Sequence, residues 1–219
     1  GRYYANFLGR KQECDEKDLV LLEKQIRNMG FFPYRCSGME LEELEKNPEK
    51  IDQLFVKILR ETMEKWVQLA EQRLSDSSVR FYMMPGNDDP PIVGEILSSC
   101  KAIVNPENEI VMIDDFHEMI SSGRSNPTPW DTPRETSEEE LLAIIEHMAS
   151  KVQDMTNCVF NFHAPPFNST LDMAPLLDKD LRPQVTAGEL LKVPVGSTAV
   201  RATIQKYQPL LGLHGHIHE

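Results

Sequence analysis

The sequence is short of cysteine and of basic charge, and it has no long apolar run; each shortage narrows what the chain can be. The four cysteines, Cys14, Cys36, Cys100 and Cys158, are widely spaced and form no Cys-x-x-Cys pair. That favours free buried thiols in a reducing compartment over a disulfide framework. Lysine and arginine number 23 against 35 aspartates and glutamates, a formal net charge of -12 over 219 residues. So acidic a chain opposes non-specific binding to nucleic acid or anionic lipid. A phosphate substrate is still allowed, because bound metal ions reverse the local sign. No apolar run approaches the length of a membrane span and none reads as a signal peptide, so a cytoplasmic protein without a membrane partner is expected. There is no internal repeat. What remains is ordinary for a globular fold, with 40% hydrophobic and 26% charged residues.

The first third reads as helical. Residues 3–8 form a short strand or a packed entry segment. Asp15 caps a helix to about Met29, with Gly30 as its stop. Ser37 and Glu40 have capping-box spacing for a short helix ending near Lys46. Asn47-Pro48 reads as the cap and first position of a long amphipathic helix, its stripe running from Ile51 to Leu74.

The pattern changes at Val79. A short apolar strand over Val79–Met84 runs into Pro85-Gly86-Asn87-Asp88-Asp89-Pro90-Pro91, where Asp89 is expected to cap a helix to about Ser99. Short strands are predicted over Ala102–Val104, Glu109–Ile113 and His117–Ile120, then a loop over Ser121–Arg134 that includes Trp130. Ser137 and Glu140 box a helix through about Val152. A buried strand over Cys158–Phe162 delivers His163, and a long loop follows to about Gly196. Ser197 caps a helix over Thr198–Tyr207, whose N-terminus could also meet a phosphate. A last strand starts at Pro209 and carries His214, His216 and His218, which share one face if the strand continues through them. Strands alternating with helices predict an α/β fold with parallel or mixed sheets.

Asn87, His163 and the terminal histidines all follow a short apolar strand, the edge at which open α/β sheets bind ligands. Their neutral N and O donors suit Zn, Mn, Fe or Ni. Two histidines one residue apart can serve two ions about 3.5–4 Å apart, the spacing of two-metal hydrolases.

Gly86-Asn87-Asp88-Asp89, then His163, then Gly215-His216-Ile217-His218 resemble, in order, the last three motifs of the calcineurin-like metallophosphoesterases. The resemblance covers residues 79–219. It implies a four-layer α/β/β/α sandwich, with 11–78 as a helical insertion packed on it. It also implies two divalent transition metal ions (Mn, Fe, Zn or Ni) acting on a small phosphoester. Asn87, His163 and His216 would bind one ion and His218 the other, with a hydroxide between them attacking phosphorus.

Two departures stand out. The family's earlier motifs, D-x-H and G-D-x-x-D, do not precede Asn87; Asp115-Phe116-His117 comes after it and reads as a surface turn. The expectation is therefore a single partial domain, a piece of a longer chain holding about half of a dinuclear site. Asp88 stands where the family has a histidine that protonates the leaving group. A carboxyl there predicts a weak or absent general acid and a preference for good leaving groups. The alternative function is a non-catalytic scaffold of the same fold that binds proteins, as in retromer-type assemblies. A nuclease fits the acidic charge poorly. The metallo-β-lactamase pattern H-x-H-x-D-H fits worse, since His218 stands where it needs Asp.

Overall fold

The computed structural model describes residues 1–218. It is a mixed α/β structure in two compact units, 1–62 and 63–219. Among the described residues, no helix is long and apolar enough to cross a membrane.

The first unit opens with a hairpin of β1 (Tyr3–Phe7) and β2 (Arg10–Cys14), paired antiparallel. Residues 11–14 were expected at the start of a helical region, so β2 corrects that reading. The cause is local. Leu8 and Gly9 both have positive φ, 49° and 77°, which folds the chain back in two residues with the twist a hairpin needs. The chain then forms α1 (Glu16–Asn28), α2 (Gly38–Lys46) and α3 (Pro48–Leu74). The caps are the expected ones: Asp15 accepts from the N–H groups of Lys17 and Asp18, and Ser37 from that of Glu40.

Arg35 ties this unit together. Its Nε lies 2.5 Å from Glu23 Oε1 and its Nη1 2.9 Å from Glu16 Oε1. Hydrogen bonding from Arg35 holds the nearly buried Glu23 carboxyl below its ordinary value of 4.5. A depressed carboxyl contributes stability above its unfolded pKa and loses it as pH falls through the folded one. The stability gap between the wild type and Glu23→Gln should therefore be widest at neutral pH and close below pH 4.5, as read by urea titrations across that range.

The second unit takes in the last turns of α3, because these residues meet others within it. Cys100 Sγ reaches Val67 O at 3.9 Å, and Lys101 N donates to Glu71. Then come β3 (Phe81–Tyr82), α4 (Pro91–Ser98), β4 (Ile103–Val104), β5 (Ile110–Met112), β6 (Glu118–Ser122), α5 (Glu138–Ala149) and β7 (Cys158–Phe162). They are followed by β8 (Met173–Pro175), β9 (Val185–Thr186), β10 (Glu189–Leu190), β11 (Lys192–Pro194), α6 (Thr198–Tyr207) and β12 (Leu211–Leu213).

The main sheet has the order β12-β7-β6-β5; β12 and β6 run parallel to β7, and β5 is antiparallel to β6. A separate pair, β3 and β4, is parallel. Ile120 and Phe160 from the sheet pack with Leu141 and Ile145 of α5 and Val200 of α6, all essentially inaccessible to water.

Several expected boundaries move. Ser121 and Ser122, read as loop, complete β6 and are fully buried, their backbone paired to β7 and their hydroxyls accepting from Asn161 Nδ2 and Arg124 N–H respectively. The helix α5 stops at Ala149 rather than Val152. Cys36 is exposed, while the other three thiols are buried; all four are free. The stretch 164–196, read as loop, contains the antiparallel pairs β8 with β11 and β9 with β10. It is closed at its base by Asp172, which is fully buried and accepts from the N–H groups of Asn168, Ser169 and Gly196.

Candidate metal centre

The site forms where β3, β6, β7 and β12 end. His163 follows β7 directly, its N–H donating to Ser122 O at 2.9 Å and its carbonyl accepting from Gly215 N at 3.0 Å. These bonds bring the ends of three sheet strands to one level. The Gly86-Asn87 turn after β3 closes on the same ring. A Cβ at residue 86 would stand 2.9 Å from His163 Cε1, so only glycine lets the turn approach so closely.

Asp89 does not cap α4, as the sequence suggested. The cap position is Pro90, without a side-chain bond, and the Asp89 carboxylate instead accepts from Gly86 N at 2.7 Å. It closes the turn that presents Asn87, a local three-residue reach of the kind aspartate makes readily.

The terminal histidines do not share a strand face. The strand β12 ends at Leu213, before the first of them. His214 turns inward, its Nδ1 donating to the carbonyls of Phe162 and Ala164 at 3.0 and 3.1 Å. His216 sits at the centre of a three-residue turn, with φ 69° and Ile217 N donating to Gly215 O. That conformation is rare and strained for a residue with a Cβ. It aims the His216 ring at Asn87.

Three expected ligands therefore converge. His163 Nε2 lies 2.8 Å from Asn87 Oδ1, and His216 Nδ1 lies 3.0 Å from the same oxygen. The two rings meet edge to face at 5.1 Å. Burial pushes His163 down to about 4, helped by the charges of His216, His218 and Arg134. Burial also lowers His216, against the pull of Glu135. Both shifts favour the neutral imidazole, the form a metal ligand must have. Asp88 and His218, the remaining predicted site residues, are exposed and line the same cleft, which measures about 1090 Å³.

The residues fit a divalent ion. Ligands about 2.1 Å from such an ion stand roughly 3.0–3.4 Å apart, and the nitrogen-to-oxygen separations here are close to that. The donor set of two neutral imidazoles and an amide oxygen suits Zn, Mn, Fe or Ni. Among the described residues, no group of three or more His, Cys, Asp or Glu is placed to hold a metal, because the third donor here is an asparagine.

Residues the sequence reading passed over hold Asn87 in place. Its Nδ2 donates to Thr132 Oγ1 at 2.8 Å, and Thr132 Oγ1 donates to Glu135 Oε1 at 2.7 Å. This chain fixes the amide with its oxygen toward the histidines. Burial alone would raise the Glu135 carboxyl, but donors from Thr128 and Thr132 outweigh it and hold it below its usual range. The signal was present: Thr132-Pro133-Arg134-Glu135 has capping-box spacing, and Thr132 N does donate to Glu135, though no helix follows directly. Thr132→Val should weaken divalent-ion uptake roughly 10–100-fold, as loss of an outer-shell partner does, with Thr132→Ser restoring it in calorimetric titration.

The two other candidates resolve simply. The N-terminus of α6 is taken by Glu138, which accepts from Ser197 Oγ and from the N–H groups of Thr198 and Ala199. Asp115-Phe116-His117 lies in an exposed turn between β5 and β6, organised by Asp114.

No protein-family model matches the chain. An uncharacterized protein of Methanocaldococcus jannaschii is 31% identical over 138 residues, which cover 62% of this chain and 55% of that protein. The chain thus spans about half the length of this relative. A solved crystal structure superposes with a TM-score of 0.48 at 15% identity, over 92% of this chain and 69% of the other.

Proposed function

We propose that this chain carries half of a dinuclear phosphoesterase site of the calcineurin-like kind, with its α/β unit a part of the corresponding α/β/β/α sandwich. The observation that carries this reading is the meeting of Asn87 Oδ1, His163 Nε2 and His216 Nδ1 at the ends of separate strands, in the motif order the sequence suggested. In this reading those three residues hold one ion, and His218 is a ligand to the second. Bound divalent ions of this type polarise a phosphoryl oxygen and make water a nucleophile at neutral pH. The chain's own work is positional. Thr132 and Glu135 orient the amide of Asn87, the turn at His216 aims its ring, and His214 anchors the strand end. Asp88, exposed at the cleft, stands at the position of the family's general acid and is a weak or absent acid in this reading. Its Asp88→Ala variant should leave hydrolysis of esters with good leaving groups unchanged.

The test is transition-metal analysis of the purified protein, with assays on aryl phosphomonoesters and phosphodiesters. Uptake of Mn, Fe, Zn or Ni that Asn87→Ala abolishes is the expected result. A protein that takes up none of them overturns the reading. A non-catalytic, protein-binding scaffold of the same fold is the second reading. Asp88, standing where the family has its proton-donating histidine, favours it. Metal binding without hydrolysis of any ester would support it.

A further inference from the structure

The cleft above Asn87 and His163 has walls of unusual composition for a phosphate site. Among the described residues, no lysine or arginine lines it, while Asp88, Asp89 and Asp131 do. Arg134, whose charge reaches His163, is half-buried beside Glu107, its Nη2 2.7 Å from Glu107 Oε1. The two hydroxyls in the lining, on Thr128 and Thr132, both donate to Glu135 and so are directed away from the cleft. Apart from the candidate ligands Asn87, His163, His216 and His218, the rest of the wall is apolar. Trp130 is 61% exposed, Pro127, Pro129 and Pro133 flank it, and Leu176 and Val193 face the cleft from the segment clamped by Asp172.

We infer that the site takes phosphodiesters, monoanions bearing an apolar or aromatic group, in preference to dianionic phosphomonoesters; this rests on the phosphoesterase reading above. The chemistry follows from the wall. A monoester presents a further charged oxygen that calls for a cation or a hydrogen-bond donor, and outside the candidate ligands the wall this chain supplies offers carboxylates instead. A diester replaces that oxygen with an ester oxygen and its organic group, which can lie on the indole of Trp130 and the prolines. Hydrolysis adds water across one P–O ester bond: the water oxygen goes to phosphorus, the leaving oxygen takes a proton, and the products are an alcohol or phenol and a phosphomonoester. That product is a dianion at neutral pH, and the acidic wall favours its departure.

The test uses three anions that cannot be hydrolysed, titrated calorimetrically into the metal-loaded chain at pH 8. Diphenylphosphinate is a monoanion with two aromatic groups, dimethylphosphinate a monoanion with none, and phenylphosphonate a dianion. Diphenylphosphinate should bind most tightly. Trp130→Ala should weaken it about tenfold while leaving dimethylphosphinate and metal uptake unchanged, since the loss is one aromatic contact. Tighter binding of phenylphosphonate, or an unchanged affinity of Trp130→Ala for diphenylphosphinate, overturns this inference and leaves the phosphoesterase reading standing. Failure of all three anions to bind overturns both.

Discussion

Gly123→Ala is expected to destabilise the second unit by at least about 3 kcal/mol, more than a typical core overpacking substitution. The end of β6 passes directly under the turn that carries Asn87. A Cβ at residue 123 would stand 1.8 Å from Pro85 O and 2.8 Å from Glu107 Oε2. Neither neighbour can yield cheaply. Pro85 is buried main chain leading into Gly86, and Glu107 Oε2 accepts the N–H of Gly123 itself at 2.7 Å. Burial already pushes the Glu107 carboxyl up, against the opposing Arg134, so displacing it from its donor worsens an unfavourable position. Gly94→Ala is the control. That glycine lies inside α4 with ordinary backbone, and its nearest neighbour would be Asn105 Nδ2 at 4.0 Å. Alanine there should stabilise by roughly 0.5–1 kcal/mol through helix propensity. Urea unfolding of the two variants checks both signs. A Gly123→Ala protein of wild-type stability would mean that β6 and the Pro85 turn do not lie so close.

His163→Ala should reduce affinity for a divalent transition metal by about 100-fold or more, at or beyond the upper limit for losing an outer-shell partner. His163 is the residue on which the site closes. Asn87 and the edge of His216 meet its ring, and Gly86 and Gly215 pack within Cβ distance of it. His214→Ala separates this role from the mere presence of histidine. The His214 ring is committed to the carbonyls of Phe162 and Ala164, so its loss should lower stability by about 1–3 kcal/mol by leaving those acceptors unpaired. Metal affinity should change little. Calorimetry with Mn or Zn and thermal unfolding, run on both variants, give the two readouts. Equal losses of metal affinity would instead make His214 a ligand alongside His163.

Much of the fold was legible in the sequence, wherever a local rule decides. Asp15, Ser37, Ser137 and Ser197 cap the helices assigned to them because a short oxygen-bearing side chain reaches the N–H groups of the first turn. The strand over Cys158–Phe162 was legible because its apolar run is buried on both faces in the centre of the sheet. The candidate ligands Asn87, His163 and His216 were legible because each follows a short apolar run.

Tertiary structure decided what local rules leave open. Whether Asp89 caps the next helix or closes its own turn depends on where Gly86 N–H points. Whether Ser121 and Ser122 are loop or buried strand depends on a partner 40 residues away. No periodicity could show that His214 faces inward while His216 takes a left-handed turn, since the strand stops one residue before them. The support of Asn87 by Thr132 and Glu135 comes from 45 residues along the chain. The sequence alone determined the donor types and their order; only the packing of strand ends determined which of them meet, because a candidate ion site is defined by distances between residues far apart in the chain.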